Sequence, residues 1–237
     1  MSGATPWRWR WRVGVADRSH RSAVAALRRA AYLQAAQFDW NDEATLDWGA
    51  ADEAGIVLAV WDAEHRLLST TRLSVFHRAE AAQAFLEYSL DGIELPLPTL
   101  VLSRVATAPA AAGHGLFALL RLAYLGVLAR TPIESALAIT YEGAPHVGSM
   151  RAAGYEFFEP RAAWDTEAVA RTRPLLAVLA RARFAEALAS READPAVPRQ
   201  QVSVNAAEIA EAISACCHAG SRAPLVGAPR ARSPHAR

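Results

Sequence analysis

Leu102-Ser103-Arg104-Val105-Ala106-Thr107-Ala108-Pro109-Ala110-Ala111-Ala112-Gly113-His114-Gly115-Leu116 is the stretch on which the fold turns. Thr99 to Thr107 reads as a strand, Pro109 and the alanines as a loop, and Leu116 to about Arg130 as a helix. Strand, Gly-x-Gly turn and helix together make an arrangement suited to an anion. Glycines let the backbone approach closely, and the free amides of a helix start face negative charge. No third glycine follows at dinucleotide-binding spacing, and no Gly-Lys-Ser/Thr follows as in a nucleotide loop. The phosphate of some other ligand is therefore the expectation.

Upstream, Trp7 to Val15 alternates large apolar and charged side chains. Period two predicts a half-buried strand in preference to a Trp/Arg peptide for membranes or nucleic acid. Asp17 and Ser19 offer caps for a helix to about Gln37, striped by Val24, Leu27, Ala31 and Leu33. Phe38 to Asp52 is acidic and aromatic without a sustained period, and predicts loops with a short helix. Ile56–Trp61 and Arg66–Phe76 flank a turn at Asp62-Ala63-Glu64-His65, an antiparallel hairpin. His77 to Leu90 has a helical pattern.

Downstream, Ser135–Tyr141 predicts a strand, Pro145–Ala153 a helix, and Gly154–Phe158 a strand. Asp165 to Arg191 reads as helical, with a break near Pro174. Pro195 and Pro198 then mark a linker, Asn205 caps a short helix to about His218, and a proline- and arginine-bearing tail closes the chain. The expected division is a domain over residues 1–191, and over 192–237 a linker, short helix and basic tail without structure of its own.

Of the 237 residues, 52% are hydrophobic and 21% charged, enough to bury a core, and a net charge of +1 points to neither nucleic acid nor an anionic membrane as partner. Basic side chains other than histidine are all arginine. Cys216 and Cys217 are adjacent and form no disulfide framework, which with the absence of an apolar signal core predicts the cytoplasm. Leu116 to Leu128 is interrupted by Arg121 and is too short to span a bilayer.

The order of elements, with the phosphate loop at Gly113–Leu116 and Ser149-Met150-Arg151-Ala152-Ala153-Gly154-Tyr155 as a helix ending in Gly-aromatic, resembles the acyl-CoA N-acyltransferase (GNAT) superfamily. Leu27-Arg28-Arg29-Ala30-Ala31-Tyr32, the loop Phe38–Asp47, Leu68-Ser69-Thr70-Thr71-Arg72-Leu73 and Ser103-Arg104 are similar to motifs of its acyl-homoserine-lactone synthase and long-chain N-acyl amino acid synthase branch. The resemblance covers Trp7 to about Pro160 and implies an α/β GNAT fold, a mixed central sheet flanked by helices. It departs at Ala110 (usually Gln or Arg), at Val101 (acidic in the synthases) and at Met150 (a tyrosine acid in many acetyltransferases).

What the resemblance implies is transfer of a medium or long acyl group, from acyl-CoA or an acyl-carrier phosphopantetheine, to an amine or amino acid, with no metal. Val105, Ala106, Thr107, Gly113, His114, Gly115 and Leu116 are expected to hold the donor. Arg72, Tyr32, Trp40, Met150 and Phe117 are expected against the substrates, and Ser103, Arg104, Tyr141, Glu142 and His146 at the chemistry. Arg72 and Arg104 are expected to pair with Asp39, Asp42 or Asp47. Two rivals stand beside this reading: an acetyl-CoA-dependent acetyltransferase, and a non-catalytic acyl-thioester sensor.

Overall fold

Successive side chains of a strand point to opposite faces, so burial that alternates between two separate apolar clusters marks a sheet covered on both sides. In the computed structural model, which describes residues 10–34, 46–144, 146–162, 173–193 and 202–220, that alternation is regular. Leu100 and Leu102 enter one core with Ala136, Ala177 and Leu179. Val101 enters another with Leu137, Leu176 and Val178.

In chain order the elements are β1 (Trp11–Ala16), α1 (Arg21–Gln34), α2 (Ala50–Ala54), β2 (Ile56–Asp62), β3 (Leu67–Phe76), α3 (Ala79–Leu86), β4 (Tyr88–Ser89) and β5 (Thr99–Thr107). They continue with α4 (Leu116–Leu128), β6 (Ser135–Tyr141), α5 (Val147–Ala152), β7 (Glu156–Phe158), β8 (Arg161–Ala162), β9 (Pro174–Ala180), α6 (Phe184–Ala193), β10 (Val202–Val204) and α7 (Ala206–Gly220). The main sheet has the order β10-β1-β2-β3-β5-β6-β9-β7, with β4 and β8 paired separately. β5 and β6 run parallel, as do β1 and β10; the other neighbours in the main sheet are antiparallel. The larger core holds residues of α4, α6 and α7, and the smaller clusters hold Ala82 of α3 and Val24 of α1. The result is a mixed sheet between two helical layers, as expected.

Local chemistry accounts for the boundaries. Asp17 caps a 3-10 turn at Arg18–His20 by accepting from the Ser19 N–H at 2.9 Å, and α1 follows. α3 stops at Leu86, short of the expected Leu90, because Glu87 adopts φ 60° and turns the chain into β4. Trp7, Trp9 and Asp39–Asp42 lie outside the described residues.

Two expectations are corrected. The stretch from Pro174, read as part of a broken helix, is β9, lying between β6 and β7. Leu175-Leu176-Ala177-Val178-Leu179 is buried on both faces, and a short continuous apolar run has no period that separates a strand from a helix. Nor does the fold end at Arg191. β10 adds to the sheet edge beside β1, and α7 sends Ile209 and Ile213, both fully buried, into the main core. A helix of 15 residues with an apolar stripe needs a surface to cover it, and α4 with the sheet supplies one.

Candidate active site

The parallel ladder between β5 and β6 is registered from Thr99↔Ser135 to Leu102↔Ala138 and stops there. Both strands continue, β5 to Thr107 and β6 to Tyr141, so the two part and the sheet opens. A bulge lies at the parting. Thr70 faces Ala106 and Arg72 faces Ser103, which leaves Arg104 and Val105 opposite the single residue Thr71. Arg104 takes the left-handed φ of 53° that the extra residue demands. Strict alternation would send Ser103 and Arg104 to opposite faces; the bulge interrupts it, and Arg104 senses the charges of Arg28, Asp52 and Glu87 beside Tyr32.

On the face carrying α1 and α3, arginines and tyrosines gather. The Arg28 guanidinium donates from both terminal nitrogens to the Asp52 carboxylate, at 2.6 and 3.0 Å, with side chains 0% and 2% exposed. Burial pushes the Asp52 carboxyl up, but the bonds from Arg28 and the Gly49 N–H, with the charges of Arg28 and Arg72, outweigh it and leave it below its usual range. Arg72 donates from Nε to Ser103 Oγ at 3.0 Å, and its guanidinium lies 5.0 Å from the Phe85 ring centre. Burial brings Arg72 down to about 10, still a cation at neutral pH. Tyr141 is raised by burial and by the neighbouring phenols Tyr88 and Tyr32, and is therefore a neutral donor.

On the opposite face stand α4 and α5. His146, at the start of α5, shares a 2.7 Å hydrogen bond between its Nε2 and Thr140 Oγ1 on the parted end of β6. Its ring meets Phe117 of α4 edge-on, centroids 5.3 Å apart. Burial and the charge of Arg121 depress His146 to about 4, so the imidazole is neutral at pH 7. Met150 is buried beneath. After β5 the chain makes a 3-10 turn at Pro109–Ala111 and then α4 begins, with Gly113 and Gly115 at φ 79° and 72°. Gly115 caps α4 with no side-chain bond, so the first amides of the helix keep no partner within it. A cavity of about 690 Å³ adjoins this loop, bounded by Arg10, Trp11, Arg66, Leu68, His114 and Leu116.

The structure thus gathers Tyr32, Arg72, Ser103, Arg104 and Tyr141 on one face of the parting, and Phe117, His146 and Met150 with the glycine loop on the other. Val105, Ala106 and Thr107 form the β5 edge beyond the ladder with β6. Glu142 follows β6 and is tied through its N–H to the Arg173 carbonyl; Trp40 lies outside the described residues. Of the carboxylates expected to pair with the arginines, Asp39 and Asp42 lie outside the described residues and Asp47 bonds Arg29, while Asp52 acts on both Arg72 and Arg104, and Glu87 acts on Arg104 as well. Val101, where the resemblance has an acid, packs in the apolar cluster of Leu137 and Val178.

Sequence reasoning missed Asp52, Tyr88, Thr140 and Arg121 as members of the site. Arg121 alone left a signal, as the charge interrupting the most apolar helix. Tyr88 lay inside a helical pattern, and only the Glu87 turn brings it to the site.

This architecture matches solved structures. The chain has the GNAT fold. It superposes on the CoA-dependent acyl-homoserine lactone synthase BjaI, solved with SAM and isopentyl-CoA, at a TM-score of 0.53 and 13% identity, covering 86% of this chain and 98% of that one. It also superposes on a protein of Acinetobacter baylyi ADP1 described as an acetyltransferase, at 0.51 and 13%, covering 76% and 94%. No family model matches the chain, and no curated protein does.

Proposed function

We propose that this protein is an N-acyltransferase that moves an acyl group from a pantetheine thioester to a small-molecule amine. The observation that carries the reading is the parting of β5 from β6 beyond Leu102 and Ala138, beside a glycine-opened helix start. An extended pantetheine arm adds to the β5 edge at Val105–Thr107 through backbone hydrogen bonds. Its phosphate rests on the amides of Gly113 to Leu116, where the partial positive charge of α4 is greatest.

The amine comes from the opposite face, past Tyr32, Arg72 and Tyr141. Its nitrogen attacks the thioester carbonyl, a β5 amide holds the developing oxyanion, and the amide product forms as the carbon–sulfur bond breaks. An amine that arrives unprotonated needs little general base, which suits a site whose buried phenol and imidazole are both neutral. CoA is favoured over a carrier-bound arm because the 690 Å³ cavity beside the loop has room for a nucleotide. The acyl chain is medium or long: Ala106 and Ala138 are small where the strands part, with Phe117 and Met150 beyond. Two free cysteines support a cytoplasmic setting. No helix among the described residues is long and apolar enough to cross a membrane.

The test is thiol release from acyl-CoA and acyl-carrier donors of two to sixteen carbons with pooled amines. Amine-dependent release is expected, with kcat/KM rising beyond acetyl. A maximum at acetyl would make this an acetyltransferase. Donor binding without release from any pair would favour a sensor, a reading for which the buried Val101 and Met150 speak.

A further inference from the structure

Arg121 lies in the middle of α4, 2% exposed, and is among the largest fully buried side chains of the molecule. One terminal nitrogen donates to Ser149 Oγ at 3.1 Å, while Nε and the other terminal nitrogen are buried without a hydrogen-bond partner. Its guanidinium carbon stands 5.3 Å from the Phe117 ring centre. No carboxylate among the described residues forms an ion pair with it. The titratable groups around it are His146, the mutually bonded phenols Tyr124 and Tyr155, and Arg191, whose Nη2 donates to the Ser149 carbonyl. Burial keeps both phenols protonated and His146 neutral, so none of these supplies a negative charge at neutral pH. A buried cation left so incompletely compensated is expensive, and a negative charge that develops within its reach is stabilised by it.

Position says which charge. Phe117 touches Arg121 on one side and His146 on the other, and His146 is bonded to Thr140 on the parted end of β6. An unbroken line of contacts therefore runs from the guanidinium to the opening between the strands, on the face that carries the glycine loop. We infer that Arg121 stabilises the thiolate that leaves when the acyl group is transferred. As the amine nitrogen bonds to the carbonyl carbon, the carbon–sulfur bond breaks and its electron pair stays on sulfur. The proton lost by the amine goes to solvent. The fixed positive field of Arg121 acts on that sulfur through a water-poor interior, where charge is weakly screened. It makes a proton-donating side chain at Met150 unnecessary.

The inference rests on the donor site proposed above, and the experiment separates the two. CoA bound to the protein is alkylated with iodoacetamide across pH, and alkylated CoA is followed by mass, so that Cys216 and Cys217 do not contribute. The apparent pKa of the bound thiol is expected to fall below that of free CoA by about one pH unit, to return in R121Q, and to return only in part in R121K. An Arg121 that merely braces α5 through Ser149 would leave the thiol unchanged. Should R121Q fail to fold, R121K carries the comparison: its bound thiol is expected to titrate between wild-type protein and free CoA, and one that titrates as in wild type overturns the role of the guanidinium. A bound thiol that titrates as free CoA overturns this inference alone; wild-type protein that binds no CoA overturns the donor site and this inference with it.

Discussion

Ile209 and Ile213 on α7 are both 0% exposed and belong to the main core, although they follow a proline-broken stretch that reads as a linker. Replacing either with alanine removes methyl and methylene groups from a packed interior and leaves a cavity, at about 2–5 kcal/mol. For a chain of this length each kcal/mol moves the melting midpoint by about 2–4 °C. A midvalue of about 3 kcal/mol therefore predicts a drop of about 6–12 °C in I209A and in I213A. Ending the chain at Ala193 is harsher. It uncovers the α4 face, removes Ile209, Ile213 and Cys217 from the core, and strips β10 from β1. Burying the two isoleucines alone contributes about 3–6 kcal/mol, a large part of the whole stability of many domains, before Cys217 and β10 are counted. Thermal and urea unfolding followed by circular dichroism measure all three variants. A chain ending at Ala193 that melts cooperatively at the wild-type midpoint, or alanine variants within 1–2 °C of it, would refute the docking of α7.

Three other outcomes follow from the site. Gly115→Asp places a Cβ at φ 72° and a carboxylate where helix amides stand open, so CoA affinity by calorimetry should fall more than tenfold, about 1.4 kcal/mol or more; unchanged affinity would remove the phosphate site. Arg28→Met and Asp52→Asn should each destabilise by about 3–5 kcal/mol, the double variant by much less than the sum, because each single change leaves a buried partner stranded; additive losses would show that the pair is uncoupled. His146 titrates near 4 in the fold against about 6.5 unfolded, so the unfolded chain binds more protons between those values. Its contribution is present above pH 6.5 and is lost as pH falls toward 4, and H146N should flatten that part of the stability profile. An imidazole resonance titrating near 6.5 in the folded protein would contradict the buried, neutral assignment.

The sequence by itself determined the order of most elements and the glycine loop, because both are local. A period of two or of 3.6 depends on neighbouring side chains alone, and a Gly-x-Gly turn before an apolar run makes its own case for a helix start. Through the resemblance that its motifs carry, it likewise put Arg72, Ser103, Arg104, Tyr141 and His146 in candidate roles. Only the tertiary structure decided which of them share a face. The extra residue in β5 interrupts the alternation that would send Ser103 and Arg104 to opposite faces, and a bulge has no marker in a run such as Ser103-Arg104-Val105. β9 was hidden because a strand buried on both faces loses its period. Asp52, which bonds Arg28 and acts on Arg72, comes from a helix of five residues at the end of a stretch whose lack of period located a short helix only loosely, and α7 read as a short helix outside the domain because a surface that covers a helix belongs to the fold as a whole. Burial and charge pairing are properties of the packed chain, and so the electrostatics of this site, Arg121 included, were decided by packing.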